Sequence, residues 1–294
     1  MTATVSLSSE VASDMHSDHH QKKGIARWVV LAILLVFLAG TLFPFVLAAL
    51  NAIKTPSDYA ENGPLALPHS FDLSALKSFW VNVDFTRKLI NSIVISGSTA
   101  ILAVVLSLLN AYAIGIGRVR GGKALLVLLL ISIMAPQEAL IYPLYYMSKQ
   151  VGLFDSMLSV ILIIGVLHTA FGTYLLSSVL STFPREIIEA AQIDNASRWQ
   201  ILWMVIVPVL RPTLAVLATF FFIWTWNEFL IPLVFLVSNN NQTVSVAMGV
   251  LSGANTSDPT AIAAASLLGV TPTVIFFLIF QRTLTRGVAV GAVK

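Results

Sequence analysis

The sequence predicts an all-α membrane protein with six transmembrane helices, and three observations predict it. The chain is 57% hydrophobic and only 11% charged, with a mean hydropathy of +0.86. Soluble domains carry about 25% charged residues, so lipid must serve as part of the solvent for this one. Six segments are apolar over a length that spans a bilayer, for which about 20 residues are needed. Lys and Arg are dense in alternate connections between those segments, the asymmetry that sets membrane orientation.

Residues 1–24 are polar and Ser-rich and read as a disordered tail. His16, His19 and His20 lie in it, and a solvated tail is preferred over a metal site. The first span covers residues 25–51, with its apolar run from Trp28 to Leu50. It is too long, and lacks the small-residue cleavage pattern, for a removed signal peptide. Residues 52–87 contain Pro56, Pro64 and Pro68 and read as an irregular external loop. Residues 88–283 form a core of five further spans. These run from Leu89 to near Gly117, from near Ala124 to Met147, from Ser156 to near Ser181, from near Thr213 to Val237, and from near Ala261 to Phe280. Residues 284–294 form a C-terminal tail.

Of the 17 Lys and Arg residues, 12 fall on the side of the two termini and five on the other. Both termini and the loop 182–212 are therefore expected in the cytoplasm. The net charge of +3 follows from this membrane asymmetry and calls for no nucleic-acid partner. There is no cysteine, which excludes disulfides, thiol catalysis and cysteine metal sites.

The loop 182–212 is the polar exception in an apolar chain. Pro184 suits a helix start, because its missing N–H is not needed in the first turn. Glu186 and Glu189 follow near the positive helix end. Ile187, Ala190, Ala191 and Asp194 have the spacing of one helix face. Asn195 tolerates the left-handed conformation that ends a helix. A second helix is expected with Trp199, Leu202, Trp203 and Ile206 as its apolar stripe, interrupted at Pro208, with Pro212 opening the fifth span. Such a helix–turn–helix either rests on lipid or docks a protein. Its carboxylates suit an anionic bilayer surface poorly and favour a protein partner with a cleft.

The residues from Glu189 to Pro212 resemble the EAA loop of permease subunits in bacterial binding-protein-dependent ABC importers. That pattern is roughly E-A-A-x-x-D-G-A-S, a stretch of helix, then P-x-x-x-P. Glu189, Ala190, Ala191, Asp194, Ala196, Ser197, Pro208 and Pro212 match it; Asn195 stands where the family usually has glycine. "FIWTWNEFLIPLVF" (Phe222 to Phe235) is similar to the fifth-helix segment of maltose-type sugar permeases, and "FQRTLTRGVAVGAVK" (Phe280 to Lys294) to their C-terminal ending. The resemblance covers roughly residues 85–285.

It implies a type I ABC importer permease fold with a cytoplasmic coupling (EAA-loop) helix, in a bacterial cytoplasmic membrane. Glu186, Glu189, Ala190, Ala191, Asp194, Asn195, Ala196 and Ser197 would then meet a separate ATPase, which binds the ATP and Mg. This chain would hold no cofactor and catalyse nothing. A second homologous permease, an ATPase dimer and an extracytoplasmic sugar-binding protein are the implied partners, and the tail after Arg282 is expected near the ATPase. The implied cargo is a di- or oligosaccharide or a related polyol phosphate.

Acids within spans are costly and are functional candidates. Glu228, beside Trp226 and Asn227, reads either as a sugar-hydroxyl ligand with the Trp226 indole stacking on the sugar or as an internal helix lock. Glu138 is expected near the external mouth of the substrate pathway, and His168 as a packing residue. "GRVRGGKA" (Gly117 to Ala124) nearly spells a phosphate-binding loop. It lacks the Ser/Thr and follows a spanning helix rather than a strand, so it reads as a cytoplasmic turn. The alternatives are a permease for a non-sugar solute and an ion-coupled carrier. The carrier would call for paired intramembrane charges and an internal repeat, and the sequence offers two lone acids and no repeat.

Overall fold

The computed structural model describes the backbone of residues 7–117, 119–254 and 258–292, and the side chains of residues 27–117, 119–250 and 258–281. The side chains of the His-containing tail and of the segment after Gln281 lie outside the described residues. Among the described residues every regular element is helical. Five helical stretches are long and apolar enough to cross a membrane: 27–52, 85–115, 157–181, 198–227 and 259–281. A bent pair of helices, 122–134 and 137–150, makes a sixth when the two are counted as one span.

Helix α1 (Leu7–Ala52) starts inside the stretch expected to be disordered. Nothing between Leu7 and Lys23 stops a helix, since neither Gly nor Pro occurs there. Its apolar part buries almost nothing within this chain, and its main packing partner is α13 (Pro259–Ala292).

Residues 52–87, expected as an irregular external loop, are ordered. They hold α2 (Pro56–Asn62) and α3 (Ser74–Asn82). Pro56 occupies the first turn, where its missing N–H costs nothing, and Pro64 and Pro68 fall after the helix has ended. Thr55 caps α2 by accepting from the Asp58 amide at 3.1 Å. The buried Asp58 carboxylate gathers the His69 amide (3.1 Å), the His69 ring (3.0 Å) and the Asn62 side chain (2.9 Å).

The core is built on α4 (Phe85–Gly115) against α7 (Met157–Ser181). Small residues let the two helices approach closely. A Cβ on Gly172 would lie 2.2 Å from Ser107 Oγ, and one on Gly165 would lie 2.7 Å from Leu102. Leu217 and Phe221 of α10 (Val207–Asn227) complete this core and are wholly buried.

The third span is not one helix. α5 (Gly122–Met134) and α6 (Gln137–Gln150) meet at 98°. Ala135 precedes a proline and takes extended backbone (φ −69°, ψ 132°), because the proline ring clashes with a helical neighbour on that side. Gly121 begins this unit with φ +82°, so the glycine-rich stretch is a turn, as the sequence suggests.

Pro208 does not interrupt the helix before the fifth span. After the short α9 (Arg198–Gln200), residues Ile201–Ile206 form a π-helical stretch. The Val207 amide reaches back five residues to Leu202 O. The next residue is Pro208, which has no amide to place, so the wider turn absorbs the proline and the helix continues into α10. That span ends early, at Asn227, followed by α11 (Leu230–Phe235).

A polar clamp fixes the N-terminal end of α4. The wholly buried Lys88 donates to both the carbonyl and the side chain of Asn239. Asn91 donates to Asn240 O (2.8 Å) and Gln242 O (3.0 Å), and Asp155 accepts from the Ser238 amide (3.0 Å). The clamped segment leads into α12 (Val244–Ala254). α13 then runs past Phe280, where the last span was expected to end.

Candidate coupling face and membrane cavity

The loop between α7 and α10 contains α8 (Arg185–Ile193), with Pro184 at its N-cap. One side of α8 is anchored: Ile188 is buried, and Ala191 packs on the same core. The opposite side is open, with Glu186, Ile187, Glu189, Ala190 and Asp194 all exposed. Ala191 thus belongs to the anchored side rather than to the open face expected of it. Ile193 joins the open face, 80% exposed, and was not singled out by sequence. Its spacing of three from Ala190 and six from Ile187 was the available signal.

The end of α8 is set by local chemistry. Asn195 has φ +57°. The Asn195 amide donates to Gln192 O (3.0 Å) and the Ala196 amide to Ala191 O (3.0 Å), the paired bonds of a Schellman ending. Ser197 then caps the next helix. Its Oγ accepts from the Gln200 amide (3.3 Å), and its own amide donates to Gln200 Oε1 (2.7 Å), a complete capping box. Leu202 and Ile206 are buried as expected, together with Ile201. Trp199 (62%) and Trp203 (48%) are exposed instead, because the π-helical stretch changes which positions face inward.

A second feature lies between α5, α6, α7 and α10. It is a cavity of about 680 Å³ lined by Gln137, His168, Phe171, Trp224, Asn227 and Glu228 among others. Asn227 Nδ2 donates to Ile223 O (2.8 Å). Glu228 Oε1 accepts from the amides of Leu230 (3.1 Å) and Ile231 (3.3 Å), so this carboxylate does lock the start of α11. Trp226 is not in the cavity. It is 5% exposed, stacks on Phe222 and meets Phe276 edge to face. Glu138 lies in the first turn of α6, and its neighbour Gln137 is the residue that lines the cavity. His168 is held parallel to Phe221, with centroids 5.1 Å apart, and meets Thr225 Oγ1 at 3.3 Å. Among the described residues no group of His, Asp and Glu has metal-holding geometry.

Residues 113–290 match the family described as the binding-protein-dependent transport system inner membrane component. The chain belongs to this family. The matched region contains α8, both caps and the cavity-lining part of α10. The permease is 32% identical over 269 residues to the trehalose transport system permease protein SugB of Mycobacterium tuberculosis, covering 91% of this chain and 97% of that one. It is 28% identical over 252 residues to the melibiose/raffinose/stachyose import permease protein MelC of Bacillus subtilis, covering 85% and 91%. The fold of the permease matches a chain in the crystal structure of a bacterial ABC transporter involved in the import of the acidic polysaccharide alginate. The TM-score is 0.74 at 22% identity, over 90% of this chain and 98% of that one.

Proposed function

We propose that this permease forms half of the translocation pathway of an ATP-driven sugar importer and takes its drive through α8. The observation that carries the reading is the open face of α8, with Ile187, Ala190 and Ile193 exposed between Glu186, Glu189 and Asp194. A mixed apolar and acidic face on a short helix with a fixed C-terminal ending is suited to a groove on a protein partner. That partner is a separate ATPase dimer, which binds ATP and Mg; the permease itself holds no cofactor and performs no catalysis. Closure of the ATPase would move α8, and the rigid join at Asn195 and Ser197 would pass the motion to α10.

The cargo is a neutral di- or oligosaccharide. The names of relatives such as the trehalose and melibiose/raffinose/stachyose permeases support this. A second homologous permease supplies the other half of the pathway, and an extracytoplasmic sugar-binding protein delivers the cargo. A solved relative in complex with its periplasmic protein supports that arrangement. Both termini face the cytoplasm, as the Lys and Arg distribution favours.

The test is Glu189→Lys in the assembled importer. The variant is expected to stay in the membrane, to lose co-purifying ATPase, and to lose uptake. Normal ATPase recovery with normal uptake would remove α8 from this role.

A further inference from the structure

We propose that the cavity between α5, α6, α7 and α10 is a binding subsite for a neutral glycosyl unit, with Trp224 as its stacking platform and Gln137, Asn227 and Glu228 as its hydroxyl ligands. This rests on the sugar cargo proposed above and adds to it a contact made by this subunit.

The aromatic wall is held in place before any ligand arrives. Trp224 meets Phe171 edge to face at 5.1 Å, His168 at 5.6 Å and Phe221 at 6.0 Å. It nevertheless keeps 41% of its surface exposed, whereas Phe221 is wholly buried and Trp226 nearly so. A large indole fixed on several sides and open on the rest presents apolar area at little entropic cost. The cavity volume, about 680 Å³, lies within the range of small-molecule sites, roughly 300–1,000 Å³.

The polar groups sit where two helices break. α6 begins at Gln137, straight after Pro136, and α10 ends at Asn227, straight before the extended Glu228 (φ −66°, ψ 129°). Non-helical backbone within a span is tolerated where it is buried in protein or lines a water-filled cavity, and here both breaks border the cavity. Glu228 commits one carboxylate oxygen, Oε1, to the amides of α11; Oε2 makes no hydrogen bond among the described residues. Asn227 commits its Nδ2 to Ile223 O, leaving a carbonyl acceptor. Hydroxyl groups donate well to both acceptors, and Gln137 can both donate and accept.

The charge of the lining selects further. It contains the Glu228 carboxylate and neither Lys nor Arg. An acidic sugar or a sugar phosphate would meet an uncompensated like charge in a low-dielectric setting. The subsite therefore favours neutral sugars over anionic ones.

The experiment uses the assembled importer in detergent, matched for subunit content and without its binding protein. Binding of labelled trehalose, lactose and melibiose is measured by equilibrium dialysis, beside a uronic-acid disaccharide. Wild type is expected to bind at least one neutral sugar and to reject the acidic one. Trp224→Ala is expected to weaken that binding about tenfold, with Trp224→Phe restoring most of it. Glu228→Gln keeps the oxygen that caps α11 and is expected to narrow the neutral-to-acidic preference about tenfold. Uptake into proteoliposomes separates the two readings. A wild type that takes up a neutral sugar, while neither substitution moves affinity or preference, overturns the subsite alone. A wild type that takes up no neutral sugar overturns the cargo reading and the subsite with it.

Discussion

The Tyr112 hydroxyl donates to the Arg198 carbonyl oxygen at 2.9 Å. This ties the C-terminal end of α4 to the residue that follows the Ser197 cap. α4 is the helix packed most extensively on α7 and α10, so the bond links the coupling loop to the centre of the core without passing through α8. Tyr112→Phe keeps the ring and removes the tether, worth about 1 kcal/mol. The expected result is unchanged ATPase co-purification with sugar moved per ATP lowered about threefold. An unchanged ratio would mean that the loop is positioned by α8 and its caps alone.

Asn195 holds φ +57° at the end of α8. Asn195→Gly is expected to be silent in uptake and thermal stability, because glycine adopts that backbone freely. Asn195→Val forces a branched residue into the left-handed region and costs about 1–2 kcal/mol. Loss of the Schellman geometry is then read as a lower melting temperature in detergent and reduced ATPase recovery.

Gly172 leaves less room for a side chain than Gly165, the other glycine of α7 that faces α4. An added methyl would lie 2.2 Å from Ser107 Oγ and 3.0 Å from the Phe221 ring. Gly172→Ala is expected to destabilise by about 1–3 kcal/mol, as overpacking does. Ser107→Gly in the same chain should recover part of that loss, since the two sites share one contact. Thermal melting of the single and double variants measures the coupling.

Asp155, in the turn between α6 and α7, is held below the usual carboxylate range. Hydrogen bonds from the Ser238 hydroxyl and amide are the largest causes. A depressed carboxylate pKa contributes stability that is fully present above its unfolded value of 3.8 and is lost as pH falls through the lower folded value. The clamp on residues 238–243 is therefore expected to hold at neutral pH and to loosen below about pH 4. Limited proteolysis of that segment against pH reads this out. Asp155→Asn should flatten the acid response.

Much of this architecture was legible in the sequence because lipid imposes long apolar runs. The α8 ending was legible for a local reason: Pro184, Asn195 and Ser197 each have one strong backbone preference, and each acts within a few residues. The bend at Ala135–Pro136 was not, because apolar residues on both sides carry the hydropathy signal straight across a proline. The π-helical stretch was hidden as well, since nothing in Ile201–Ile206 distinguishes it from an ordinary apolar turn. The exchange of Trp226 for Trp224 has the same character. The two differ by about 200° around a helix, and tertiary packing, with Phe222 and Phe276 on Trp226 and Phe171 and His168 on Trp224, decides which indole enters the cavity. The order in residues 52–87 was hidden for a similar reason: a proline that begins a helix, as Pro56 does, looks in sequence like one that breaks it.

The coupling role of α8 is tested most directly by one thiol on its open face. The chain has no cysteine, so Ala190→Cys introduces a single reactive site. Its rate of maleimide labelling is measured in the importer with its ATPase bound and after the ATPase is stripped away. Strong protection is expected in the assembled importer, relieved on stripping, together with a disulfide to a cysteine placed in the facing groove of the ATPase. Equal labelling rates in both states, with uptake intact, would contradict the coupling role.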